Sequence, residues 1–206
     1  TTNDINQILT PVPNPEVGKL FDFKTGMDLV YMEGTSYSNG LVYAILQNAS
    51  GKRVIYGINM SGAGFVQESI YENLNAPDFD KATVFAFHSQ FPYMFYAVDN
   101  KVYLHNLGTN TTFPMDNIVL GDNEEVTMLK FNLYRQCSLD DLNNQSDEFM
   151  ARQYELMVGS YNHSALDNNG GRLGFYPVDG VNNSVTKRTE YSGFAKIKDV
   201  VYRERR

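Results

Sequence analysis

The chain has 206 residues, enough to bury a sizeable core in one β-rich domain, and its balance of 42% apolar to 20% charged residues is that of an ordered globular protein. A net charge of −7 without any basic stripe argues against nucleic acid as a partner, because phosphate binding needs clustered Lys and Arg. One Cys excludes an intrachain disulfide and a thiolate-only zinc site, and no run approaches the roughly 18 consecutive apolar residues of a membrane helix, so no membrane-spanning segment is expected.

Fourteen Tyr, 13 Phe, no Trp and 16 Gly favour strands and turns over helices. Residues 1–25 carry Pro11, Pro13 and Pro15 and read as an N-terminal segment or linker. They include no initiator Met, no signal-type apolar run and no leading Cys for a lipid, which reads as a product of cleavage or truncation.

A first unit, about 26–79, opens with the alternating stretch MDLVYMEGTSY (27–37). A hairpin follows, Leu41 to Leu46 and Arg53 to Ile58 around a polar turn, and then a fourth strand from Phe65 to Tyr71. The second unit, about 80–123, repeats the order: ATVFAFHS (82–89), then Phe91 to Val98 and Lys101 to Leu107 joined by Asp99-Asn100, then Thr111 to Val119. Asp and Asn tolerate the positive φ of a two-residue turn. The third unit, about 124–193, runs Val126 to Tyr134, Tyr154 to Tyr161, Arg172 to Val178 and Ser184 to Tyr191. A further first strand, 194–202, stands alone at the end.

First strands beginning at 27, 82, 126 and 194 give intervals of 55, 44 and 68 residues, the last lengthened by an insertion. Four antiparallel strands recurring at roughly 40–50 residues are the signature of propeller blades. The fold class read from the sequence is therefore all-β, a β-propeller-like array of four-stranded antiparallel blades spanning 26–206. Because a blade buries its faces only against neighbours and propellers need about four or more, three units and one strand read as an incomplete, C-terminal portion.

The phrases FPYMFYAVDNKVYLHNL (91–107) and GFAKIKDVVYRER (193–205) resemble the C-terminal region of the PKD-like family of Bacteroidetes surface lipoproteins, which is associated with SusC/SusD-type outer-membrane transporters. The likeness covers about residues 26–205. It implies a propeller-like C-terminal part, a lipid anchor upstream of this stretch, and a location at the cell surface on the outer membrane. It also implies a non-catalytic accessory role in uptake of a glycan or peptide, with a SusC/SusD-type complex as partner. No cofactor and no catalytic residue carries over from the family.

The chemistry-bearing residues fit that picture. His88, His105 and His163 lack metal spacing and read as solvated or hydrogen-bonded strand residues. The acidic loop 137–153, with Asp140, Asp141, Asp147 and Glu148, lacks the EF-hand order, and Cys137 beside it reads as a free thiol. Asp167 to Gly171 reads as turn chemistry rather than a cation loop. Asp22, Glu33, Asp99, Asp116 and Glu155 are carboxylates that no spacing pairs for glycoside hydrolysis. The four Asn-x-Ser/Thr matches at Asn48, Asn110, Asn162 and Asn182 read as turns, and Tyr31, Tyr37, Tyr43, Phe91, Tyr93 and Tyr134 as aromatics packing between blades rather than sugar platforms.

Two function classes remain open from sequence: a binding module, and a propeller-type glycoside hydrolase, lyase or peptidase with its site in a central channel. The first strands supply Leu29, Val30, Val84, Phe85, Met128 and Leu129 toward such a channel, which favours binding over acid–base chemistry.

Overall fold

The computed structural model describes residues 26–35, 41–59, 66–89, 91–131 and 155–200, with backbone alone for 66–68. Within them the protein is all-β, built from β-propeller-like antiparallel sheets, two of four strands and one of five. The chain forms two compact units, Thr1–Leu74 and Asn75–Arg206.

The first unit holds one sheet in the order β1 (Met27–Gly34), β2 (Leu41–Asn48), β3 (Arg53–Asn59), β4 (Val66–Tyr71). The β2–β3 turn is set by Asn48, whose Oδ1 accepts hydrogen bonds from Ser50 N at 3.0 Å, Ser50 Oγ at 2.7 Å and Lys52 N at 2.9 Å. The central strands bury both faces: Ala44, Leu46, Tyr56 and Ile58 cluster on one, and Tyr43, Ile45 and Ile55 alternate onto the other. A register shift between Leu29 and Tyr31 interrupts the β1–β2 pairing, and Leu29 and Met32 are about half exposed.

The second unit holds two sheets. One runs in the order β5 (Val84–Phe87), β6 (Tyr93–Val98), β7 (Lys101–Asn106), β8 (Thr111–Pro114). The other contains β9 (Glu124–Phe131), β10 (Glu155–Asn162) and β11 (Gly171–Asp179), with β12 (Ser184–Val185) and β13 (Thr189–Phe194) both pairing β11. Period-two alternation turns Ala86, Phe95, Ala97, Val102 and Leu104 of the former toward Val126, Leu129, Phe131, Leu156, Val158 and Tyr176 of the latter. Each such fully buried large apolar side chain contributes about 1.5–3 kcal/mol, so this apolar interface is the main source of cohesion in the unit.

The opposite face of the β5–β8 sheet carries Phe85, Phe87, Met94, Tyr96 and His105, all buried. A short 3-10 turn, Phe79–Lys81, lays Phe79 edge-on against Phe85 at 6.0 Å and Tyr96 at 5.5 Å. The opposite face of the β9–β13 sheet carries Met128, Met157, Leu173 and Phe175, with Ile197 and Val200 packed on them.

Three strand ends differ from the sequence reading. The strand expected over 111–119 stops at Pro114, one further backbone bond runs from Met115 N to Val102 O, and 115–123 becomes the connection to β9. The strand expected over 184–191 divides into β12 and β13, although Thr186 N and Arg188 N still bond Pro177 O and Phe175 O across the break. Of the expected strand 194–202, Phe194 ends β13, residues 195–200 lie in no strand, and 201–202 fall outside the described residues.

Candidate functional site

The β6–β7 turn and the exit of β8 lie at the same end of their sheet, because the strands are antiparallel. Beside them opens a groove of about 330 Å³ lined by Asn100 to Tyr103, Pro114 to Asp116 and Ile118 to Leu120. Its volume is at the lower end of the range of small-ligand sites.

The walls are held by the backbone. Asp99, at φ 53°, turns the hairpin, and its carbonyl accepts from Val126 N at 2.8 Å. The sequence suggested positive φ for the Asp-Asn pair, and Asp99 alone takes it. The connection 115–123 is tied to β7 by Met115 N to Val102 O at 2.9 Å and to the turn by Asn100 Nδ2 to Gly121 O at 3.2 Å. Asn117 Nδ2 donates to Val185 O at 2.8 Å and Gly121 N to Glu124 Oε2 at 2.7 Å, so the loop is preorganised on both sides.

Chemically the groove is mixed, polar and apolar. Val102, Met115 and Ile118 beneath it are buried in the core between the two sheets, while Val119 is 75% exposed at the rim. Tyr103 stacks on Tyr96 at 5.1 Å with rings 19° apart. Lys101 and Asp116 are exposed and make no ion pair with any described residue.

The carboxylates singled out from the sequence are dispersed. Asp116 lies in the groove and Asp99 beside it. Glu33 accepts from Tyr31 Oη at 3.0 Å in the first unit. Glu155, 1% exposed, is held by Arg188 through Nε at 2.5 Å and Nη2 at 3.0 Å, while that guanidinium also lies over the Phe175 ring at 5.4 Å. Asp22 is outside the described residues, as are the whole acidic loop 137–153, Cys137, Tyr37 and Tyr134.

Two of the histidines are buried rather than solvated. His88 is fully buried against Phe91, Tyr93 and Phe131, with Nδ1 accepting from Phe91 N at 3.3 Å. His105 Nδ1 lies 2.7 Å from Thr112 Oγ1, which itself donates to Asn75 O at 2.6 Å. A hydroxyl has one proton to give, so His105 carries its hydrogen on Nδ1 and leaves Nε2 as an acceptor. Burial lowers both pKa values to about 4, so both rings are neutral near pH 7. His163 is exposed, its Nε2 3.3 Å from Glu125. Among the described residues no group of three or more His, Cys, Asp or Glu is placed to hold a metal ion.

The loop 167–171 is a turn, with Asp167 and Asn168 both at positive φ. Asn48 and Asn162 hold turn backbones through Oδ1, Asn110 through Oδ1 to Asn75 N, and Asn182 donates to Asp179. Among the aromatics, Tyr43 and Tyr93 are buried, and Phe91 stacks on Tyr93 at 5.3 Å while remaining 39% exposed. Of the first-strand residues, Phe85, Met128 and Leu129 are buried and Leu29 is not.

Sequence reading missed the groove as a unit. Its signal was Pro114: an edge-strand proline followed by Met-Asp-Asn marks where the fourth strand must end and a loop begin. The ion cluster of Glu124, Arg172 and Glu190 on β9, β11 and β13 was also unforeseen, because its members are far apart in sequence. Arg172's pKa is raised: burial opposes its charge, and Glu124 followed by Glu190 outweighs that.

No family model and no curated protein matches the chain. Among solved structures, it is similar to a chain of a mitotic checkpoint complex at 13% identity and TM-score 0.41, covering 82% of this chain and 43% of that one. A protein from Lactobacillus plantarum aligns at 13% identity and TM-score 0.43, covering 87% and 44%. The WD40 domain of SCAP from fission yeast aligns at 8% identity and TM-score 0.36, covering 80% and 39%. The chain spans less than half the length of each of these structures. No helix among the described residues is long and apolar enough to cross a membrane.

Proposed function

We propose that this chain is a non-catalytic binding module whose ligand site is the groove between the β6–β7 turn and the 115–120 connection. The observation that carries the reading is the division of labour among polar groups. The buried acids Glu124 and Glu155 are engaged by Arg172 and Arg188, and the buried imidazoles are neutral. The groove described above offers a mixed polar and apolar surface with a single ammonium and a single carboxylate in its lining. Such a site suits recognition by shape and a few polar contacts rather than proton transfer by a positioned pair.

The setting we propose is the one the phrases at 91–107 and 193–205 suggest: a cell-surface accessory of an outer-membrane nutrient-uptake system, beside a SusC/SusD-type transporter and handling a glycan or peptide. Isolation of the native assembly under mild detergent tests the setting, with co-purification of an outer-membrane barrel as the expected result. Saturation-transfer NMR with oligosaccharide and peptide pools tests the module. Binding without turnover is expected, and steady hydrolysis of any pool member by the purified chain would overturn the reading.

A further inference from the structure

We infer that Asn169, in the β10–β11 turn, is a site of self-modification: its side-chain amide is lost to the backbone nitrogen of Gly170, and water leaves aspartate and isoaspartate in its place. The Gly170 nitrogen bonds to Asn169 Cγ, Nδ2 departs as ammonia, and a succinimide ring closes. Water then opens the ring at one of two carbons. Attack at Cγ restores the ordinary backbone with an aspartate, and attack at the main-chain carbonyl carbon leaves the chain running through Cβ and Cγ as isoaspartate. Nothing is oxidised or reduced; one water is consumed and one ammonia released.

Ring closure needs a carboxamide free to rotate, an unhindered nitrogen after it and a backbone outside a helix. Asn169 meets all three conditions. It is exposed, it lies between the positive-φ pair Asp167-Asn168 and the start of β11 in neither helix nor strand, and its side chain has no hydrogen-bond partner among the described residues. Gly170 has no Cβ to shield its nitrogen, and that N–H donates to no described group.

The asparagines of the other turns are held. Asn48, Asn106, Asn110 and Asn162 each accept backbone N–H bonds through Oδ1, and each is followed by a residue that carries a Cβ. Asn168 is also exposed, but the nitrogen after it belongs to Asn169, whose Cβ hinders attack. A second Asn-Gly pair, Asn39-Gly40, lies outside the described residues.

The turn itself requires the glycine that makes the reaction easy. A Cβ on Gly170 would lie 2.3 Å from Asn162 O and 2.9 Å from Ala165 Cβ. Gly170 is buried, and its carbonyl accepts from Asn162 N at 2.9 Å, the bond that closes the turn. Isoaspartate lengthens the chain by one backbone atom immediately before that bond, so the Asn162 amide is where the change is felt.

Incubation of the full chain in mildly alkaline buffer, followed by peptide mapping with fragment spectra to place each change, tests the inference. The expected result is a gain of about 1 Da at Asn169, the difference between amide and acid, with the same peptide labelled by an isoaspartyl methyltransferase. Ion exchange should resolve a species carrying one more negative charge than the −7 of the parent. In that species the Asn162 amide should exchange faster. Asn169→Gln should lose the gain, and Asn169→Asp, which keeps the ordinary backbone, should leave Asn162 protected. The peptide holding Asn39-Gly40 is separate and is scored by itself. A folded chain that keeps Asn169 intact while the same chain unfolded in guanidinium converts it overturns the inference, as does conversion of Asn48 or Asn162 at an equal rate in the folded chain.

Discussion

Arg172 of β11 grips Glu124 at the start of β9 through two hydrogen bonds, Nε to Oε1 at 2.8 Å and Nη2 to Oε2 at 2.5 Å, with strand β10 running between them. Its Nη1 reaches Glu190 on β13 at 3.2 Å, so one side chain links three strands of the sheet. Glu124 is 8% exposed and, without the guanidinium, keeps only the hydrogen bonds from Gly121 N and the Ser160 hydroxyl. Arg172→Ala is therefore expected to cost about 3 kcal/mol, the lower end of the range for a largely buried carboxylate that loses its counter-ion. Arg172→Ala combined with Glu124→Gln should cost less than Arg172→Ala alone. Urea denaturation of both variants measures the difference, and an Arg172→Ala protein as stable as the parent would refute the role.

The hairpins show what the sequence makes legible. Strands read at 41–46 and 53–58 fall at Leu41–Asn48 and Arg53–Asn59, and those at 101–107 and 172–178 fall at Lys101–Asn106 and Gly171–Asp179. Local signals suffice there: β-branched and aromatic runs on either side of Asn, Asp and Gly that accept the turn. What was not legible depends on pairs distant in the chain. Nothing near Glu155 announces Arg188, 33 residues on, and nothing near His88 reveals that Phe131 will close over it. A strand residue's alternation shows which face it occupies, but whether that face meets water is decided by another sheet. The groove was half legible: Asp99-Asn100 and Pro114 mark its two walls, but their approach depends on the hydrogen bonds of the 115–123 connection.

Protonation of the buried histidines makes stability depend on pH. His88 is faced by Phe91, Tyr93 and Phe131, and His105 by Thr112, and burial is the cause of both depressed pKa values. The unfolded chain takes up these protons near pH 6.5, while the folded chain resists to about pH 4. Stability from this source is thus complete above pH 6.5 and is lost as pH falls, by up to about 1.4 kcal/mol per pH unit for each ring. Urea midpoints between pH 7 and pH 5 should fall, and the slope should be roughly halved in His105→Gln. A flat profile across that interval would remove the buried neutral pair from the account.

At Gly171 the backbone of Phe194 and Ala195 lies close against β11. A Cβ built there would lie 2.1 Å from Ala195 O and 2.6 Å from Phe194 O, both backbone atoms that no rotamer change can move. Gly171→Ala must push the end of β13 away from β11, at a cost of about 1–3 kcal/mol. Hydrogen exchange should show faster loss of amide protection in 189–194 than in β6 or β7. Equal protection in the variant and the parent would mean that the chain after Phe194 shifts at no cost.

Asp99 ties the groove to the core of its unit. The residue sits at φ 53°, a region that costs a β-branched side chain roughly 1–2 kcal/mol, while its carbonyl receives Val126 N at the head of β9. Asp99→Val is therefore expected to lower the denaturation midpoint and to expose the Val126 amide to exchange. Asp99→Gly, free of the steric conflict at positive φ, should preserve both. Because Asn100 also holds Gly121 O, a turn displaced by the valine would pull the two walls of the groove apart. The amides of 118–121 should then shift in Asp99→Val and hold their positions in Asp99→Gly. Equal shifts in the two variants would place the effect in the lost carboxylate rather than in the geometry of the turn.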